Sequence, residues 1–155
     1  SLYNTCYIYK DGNFTAKHRK VHLFGKERDI LSPGDRFRKF KFGGVDCSVI
    51  ICADALQQST FSEIGKLGAQ LIFAPTYSMI KENDTPENKA ARDREIFLKG
   101  AKLSGTVLCK CCSVGKLFNH PANGRSLVCT PEKFLYRSNE DDELEVKIIK
   151  VEISL

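Results

Sequence analysis

The apolar positions of this chain fall into short strand-like runs separated by turn signals, with helical patterns between some of them. Tyr7-Ile8-Tyr9 leads into Lys10-Asp11-Gly12-Asn13, a strand entering a hairpin, because Asp-Gly supplies the positive-φ geometry of a tight turn. Phe14 to Arg19 is the expected return strand. A long, charged loop with Gly25, Pro33 and Gly34 follows, and Phe37, Phe40 and Phe42 then lead into Gly43-Gly44, a second hairpin signal. Val45 to Cys52 is a near-continuous apolar run, the pattern of a strand buried on both faces.

Beyond Cys52 the pattern turns helical over about Phe61 to Leu67, with Ser59 and Ser62 able to cap and Gly68 closing the helix. Gln70 to Ala74 reads as another buried strand, stopped by Pro75. Thr85-Pro86-Glu87 is a strong helix start: Thr as N-cap, Pro at the first helical position, an acid in the first turn. That helix is expected to reach about Leu103 and to end before Gly105, with Ala90, Ile96, Phe97 and Ala101 on its apolar side. Thr106 to Cys112, Arg125 to Thr130, Phe134 to Tyr136 and Val146 to Ile153 are further expected strands, and the acidic run Glu140 to Glu143 reads as a solvated turn. Strands alternating with helices and ending in a strand-rich tail define an α+β or α/β layer protein with a mixed sheet.

A chain of 155 residues forms one domain with a real core and is too short for two. An apolar share of 42% and a charged share of 28% are those of a soluble globular protein. The net charge of +5 is spread along the chain with no aromatic-basic RNA-reading motif, so no nucleic-acid partner is expected. No run approaches the ~18 apolar residues that a membrane span needs, and no signal-peptide core is present, so no membrane association is expected. The cysteine count is odd at seven, and several lie in strand-like runs. Reduced, mostly buried thiols in a cytoplasmic protein fit better than a disulfide framework. Cys109, Cys111 and Cys112 are too closely spaced for a zinc site and read as strand core. The chain opens at Ser1 already inside a strand pattern, which suggests a truncated or processed polypeptide.

Chemistry concentrates at two segments. Val49-Ile50-Ile51-Cys52-Ala53-Asp54 places a thiol where a buried strand gives way to a helix, holding a nucleophile clear of the sheet with backbone N–H groups nearby. Upstream, Arg19-Lys20-Val21-His22-Leu23-Phe24-Gly25-Lys26-Glu27-Arg28 precedes Ser32-Pro33-Gly34-Asp35. A Lys, a Glu and a Cys at strand ends make an acyl-transfer site. By themselves, however, Cys52 reads as a buried inert thiol and Lys20 as a solvated strand end.

These two segments resemble the nitrilase, or carbon–nitrogen hydrolase, superfamily. Lys20-Val21-His22-Leu23-Phe24 with Glu27 and Pro33-Gly34 is similar to the segment carrying the family's lysine, and Val49 to Asp54 to the one carrying its nucleophile. Gly68-Ala69 with Pro75, Ala91-Arg92-Asp93-Arg94-Glu95, and Gly124-Arg125-Ser126-Leu127-Val128 with Pro131 continue the resemblance, in order, across essentially the whole chain. It implies a four-layer α-β-β-α sandwich with mixed sheets, here lacking its N-terminal part, and a homodimer or higher homo-oligomer. The implied reaction hydrolyses a small carboxamide or N-carbamoyl compound through a thioester, without cofactor or metal. Amidase is favoured over nitrilase on the His22-Leu23-Phe24-Gly25-Lys26-Glu27-Arg28 stretch.

The resemblance assigns catalysis to Lys20 and Cys52, with Glu27 as an assisting member of the site, and places Ala53, Asp54 and Tyr77 around the oxyanion and substrate. His22 is expected to pack rather than to act as a base. The family's general-base Glu precedes the lysine segment and is expected outside this chain, with a separate N-terminal chain as one source. Gln57-Gln58-Ser59 stands where the family usually has Pro-Glu, Cys112 where Asn is common and Lys133 where Gly is common; these departures reshape the pocket rim and leave substrate choice open. Two rival readings remain: a non-catalytic binding or assembly module of the same fold, and a redox-sensing thiol protein built on Cys109, Cys111 and Cys112.

Overall fold

The computed structural model describes residues 1–80, 84–117, 119–139 and 144–155. Strands β1 (Thr5–Lys10) and β2 (Asn13–Arg19) form the first hairpin, turning at Asp11 and Gly12 with φ of 50° and 77°. The lysine loop follows and contains a single helical turn, α1 (Glu27–Ile30). Then come β3 (Lys39–Phe42), β4 (Val45–Val49), a 3-10 turn (Cys52–Leu56), α2 (Gln58–Lys66) and β5 (Leu71–Thr76). A long helix is built from α3 (Pro86–Arg92), a π-helical turn (Asp93–Leu98) and α4 (Lys99–Ser104). It leads to β6 (Val107–Cys112), the short pair β7 (Lys116–Leu117) and β8 (His120–Pro121), then β9 (Leu127–Cys129) and β10 (Phe134–Arg137).

Six strands form one mixed sheet in the order β10-β9-β6-β5-β4-β3. Its centre, β4-β5-β6, is parallel, and the flanking strands run antiparallel. Parallel neighbours need crossover helices, which α2 and the long helix provide. Phe61 and Ile64 of α2 meet Ile72, Ala74, Phe97, Ala101, Leu108 and Leu127 in one core. The two helices pack against each other at Gly100, where a Cβ would lie 2.5 Å from the Phe61 ring. Thr85 caps α3 by accepting a hydrogen bond from the Asn88 N–H (3.3 Å), and Gly105 ends α4 at φ 66°.

Several expectations are corrected. Val146–Ile153 forms no strand, and Val146 and Ile148 are 87% and 100% exposed. Its β-branched residues favour a strand only where a ladder partner lies alongside. Pro75 does not stop β5, which pairs with β6 as far as Thr76. By Pro75, β4 has turned away, so the missing N–H falls beyond the part of β5 that β4 pairs. Ser59 and Ser62 lie inside α2, whose N-cap is Gln57 without a side-chain bond. On β6, Lys110 is more deeply buried than Cys109, Cys111 or Cys112, and Cys111 is exposed. The run Glu140 to Glu143 lies outside the described residues.

Candidate active site

The nucleophile corner begins where the β4 ladder ends. The Ile50 N–H donates to the Phe73 carbonyl (3.0 Å), Ile51 remains extended, and Cys52 swings to φ 47°, a left-handed conformation that is strained for any residue with a Cβ. Such strain persists where surrounding contacts over-determine the backbone. Here the contacts come from Asp54. Its Oδ2 accepts the Ile51 N–H (2.8 Å), closing the turn around Cys52 from below.

The same carboxylate reaches the lysine loop. Asp54 Oδ1 accepts the N–H groups of Val21 (3.1 Å) and His22 (2.7 Å), and His18 Nε2 lies 3.4 Å from Oδ2. Asp54 is fully buried, and both of its oxygens are occupied. Asp54, expected around the oxyanion and substrate, here forms a clamp that holds the backbone one residue beyond Lys20 to the backbone one residue before Cys52. His22 packs, as expected, with its ring 6.0 Å from that of Phe37; His18 stacks on Phe37 at 5.4 Å.

Lys20 is almost wholly buried. Its N–H donates to the Asn4 carbonyl (2.9 Å), and its own carbonyl accepts the Gly34 N–H (2.7 Å). At Gly34 the chains run so close that a Cβ would lie 2.3 Å from the Arg19 carbonyl oxygen, the physical reason for a glycine after Pro33. Lys20 Nζ donates to Glu27 Oε2 at 2.5 Å. Oε2 also accepts the Phe24 N–H (2.8 Å), and Oε1 accepts Asn4 Nδ2 (3.0 Å). Burial opposes ionisation of Glu27, but the bonds from Lys20, Phe24 and Asn4 outweigh it and hold the carboxyl below its ordinary range.

Cys52 Sγ donates to the Tyr77 carbonyl (3.3 Å), while the Tyr77 hydroxyl turns away to the His120 carbonyl (3.1 Å). Ala53 lines a cavity of about 440 Å³ together with Val21, His22, Phe24, Arg28 and Leu56. Neither Cys52 nor Lys20 lines that cavity, which lies beside them. Burial raises the thiols of Cys6, Cys47 and Cys109, pushing Cys112 to about 11 and Cys129 to about 12.

The structure therefore joins Lys20 directly to Glu27 and ties their loop to the Cys52 corner. It also assembles groups that the sequence reading missed. Asn4 and His18 contact partners 23 and 36 residues away, a separation that no local spacing reveals. Asp93, in the π-helical turn, pairs with Arg125 and with Lys110 (3.5 Å), and Lys110 lies 4.6 Å over the Phe97 ring. A π turn inside a helix re-aims its side chains, and here it carries a buried carboxylate with two buried cations.

Comparison with known proteins gives the family and the fold. The family model for carbon–nitrogen hydrolases matches residues 1–154, and the chain belongs to that family. It is 24% identical over 155 residues to a nitrilase of Pyrococcus abyssi, covering 99% of this chain and 55% of that protein. It is 39% identical over 84 residues to an omega-amidase of Xenopus tropicalis, covering 48% of this chain and 30% of that protein. Among solved structures, a carbon–nitrogen hydrolase of Helicobacter pylori superposes with a TM-score of 0.79 at 20% identity, over 93% of this chain and 54% of that one. A Nesterenkonia amidase in complex with butyramide gives 0.75 at 22% identity, over 86% and 50%. The chain thus spans about half, or less, of the length of the relatives it matches.

Proposed function

We propose that this chain carries the nucleophile and lysine part of an amidase active site, which hydrolyses a small carboxamide or N-carbamoyl C–N bond. The observation that carries the reading is the Asp54 clamp, which ties a strained Cys52 at a strand end to a loop whose Lys20 is paired with Glu27. Support also comes from the Nesterenkonia amidase, one structure of which shows acrylamide added at its active-site cysteine.

In the proposed reaction Cys52 Sγ bonds to the carbonyl carbon while its proton passes to a carboxylate base. The oxyanion is met by Lys20 Nζ and the N–H of Ala53, which lies in the first turn after the strand, where N–H groups lack helical partners. Collapse breaks the C–N bond; the amine leaves with the proton, and the thioester is then cleaved by water to the acid and free thiol. Glu27 commits both oxygens to Asn4, Phe24 and Lys20, and Asp54 commits both to backbone groups. The base of this reading is therefore a carboxylate outside these 155 residues, in the N-terminal part of the four-layer sandwich that precedes the lysine segment.

The test measures ammonia release from butyramide and acrylamide by the wild type and by Cys52→Ala and Lys20→Met, each assayed together with the N-terminal half of a family domain that supplies the base. Both variants are expected to be inactive and to fold. Removing an oxyanion donor costs about 3 kcal/mol, so a Lys20→Met rate above roughly a tenth of wild type overturns the lysine's role. A wild type that binds amides without turning them over supports the rival reading of a non-catalytic module.

A further inference from the structure

Asn4 lies just ahead of β1, outside every segment that pointed to chemistry in the sequence, yet it touches both members of the lysine–glutamate pair. Its main-chain carbonyl accepts the Lys20 N–H (2.9 Å), and its side-chain amide donates to Glu27 Oε1 (3.0 Å). A carboxylate on a two-methylene stem can rotate about its last bond, exchanging its two oxygens. With Oε1 held by Asn4, Oε2 is the oxygen left to accept Lys20 Nζ (2.5 Å) and the Phe24 N–H (2.8 Å).

We propose that Asn4 is a positioning residue of this site: its side-chain amide fixes the rotation of the Glu27 carboxylate beside a Lys20 whose backbone its main-chain carbonyl already holds, so that the ammonium is aimed before substrate arrives. The inference rests on the amidase reading for its kinetic consequence, but not for its geometric one. An ammonium at the end of four rotatable carbons has many positions, and holding it in one removes an ordering step from the reaction. The Asn4 bond also helps to hold the Glu27 carboxyl low, which gives the proposal a readout separate from turnover.

The experiment compares Asn4→Leu, which keeps size and loses the donor, with Asn4→Ser, which keeps a shorter donor and guards against a folding failure of the first. Carbon-13 NMR of labelled glutamate follows Glu27 through a pH titration, with Glu27→Gln identifying its resonance. The expected result is an upward shift of the Glu27 midpoint in Asn4→Leu, smaller in Asn4→Ser. Turnover of amides is expected to fall on the order of tenfold in kcat with KM nearly unchanged, the loss of one hydrogen bond to a charged group. In a Glu27→Gln background the Asn4→Leu change is expected to have no further effect. An unmoved Glu27 midpoint in both variants, or an equal kcat loss with and without Glu27, overturns the proposal. If the protein turns over no amide even with the N-terminal half of a family domain supplied, the amidase reading fails alone, and the titration still decides the role of Asn4.

Discussion

At Cys52, backbone strain and thiol exposure can be separated by chemistry. Five of the seven thiols are pushed up by burial, which starves them of the reactive thiolate. Cys111 is exposed on β6, and Cys52 stands half-buried at the corner. Brief iodoacetamide treatment near neutral pH, followed by peptide mapping, is expected to label Cys52 ahead of Cys111 and well ahead of the rest. First labelling at Cys109 or Cys129 with Cys52 untouched means that the nucleophile is assigned wrongly. Asp54 offers a second test at this scale. Asp54→Asn leaves one oxygen for three backbone donors and turns an amide N–H₂ toward at least one of them, which costs about 1–3 kcal/mol for a buried unmet partner. A fall of that size in urea stability, with kcat falling too, marks a clamp; a rise in KM at unchanged stability marks a substrate contact instead. Glu27 adds a pH signature. Its carboxyl is depressed on folding, so the stabilisation by Lys20 is present above the unfolded value near 4.3 and is lost as pH falls through the lower folded value. Acid unfolding curves of wild type and Glu27→Gln are expected to begin converging as pH falls below about 4.3 and to meet only once it has passed the lower folded value.

At the scale of elements, the contacts decided what local pattern left open. The hairpin about Asp11-Gly12, the Thr85-Pro86 helix start and the strand beginning at Val45 were legible, because each is specified by neighbours in sequence, although that strand ends at Val49 rather than at Cys52. The π turn at Asp93 was not, since it is fixed by Arg125 and Lys110 from β6 and the segment before β9. Nor was the end of β5: Pro75 reads as a stop only if both neighbouring strands persist, and β4 does not. Asn4 and His18 were illegible for the same reason, as polar residues in unremarkable strand sequence whose partners lie across the fold. The packing of α2 on α4 yields a prediction of this kind. Gly100→Ala keeps a good helix former but sets a methyl 2.5 Å from the fully buried Phe61 ring, and overpacking of that sort costs typically 1–3 kcal/mol. A lowered thermal midpoint is expected; a raised one shows that Phe61 can move aside.

For the whole molecule, the exposed apolar surface is unevenly placed. The free edge of the six-stranded sheet at β3 carries Lys39 and Lys41, both paired with Asp46, and charge on an edge deters association with other strands. The hairpin and the C-terminal segment also carry lysines, two of the latter paired with Glu145 and Glu152, but they expose large apolar side chains beside them. Tyr7, Tyr9 and Phe14 cluster on one exposed face of β1 and β2, and Leu144, Val146 and Ile148 stand in solvent along a segment with strand composition. Exposed apolar groups of this extent mark interaction surfaces or aggregation sites. We propose that the remainder of the family's domain covers them and carries the general-base carboxylate. Residues Ser1 to Leu155 expressed alone are then expected to self-associate in sedimentation and to release no ammonia from butyramide. Supplying the N-terminal half of a family domain, fused or as a second polypeptide, is expected to restore a defined oligomer and turnover together. If the isolated chain is soluble, monomeric and fully active, neither surface needs a cover, and Glu27 must be the general base despite its three hydrogen bonds.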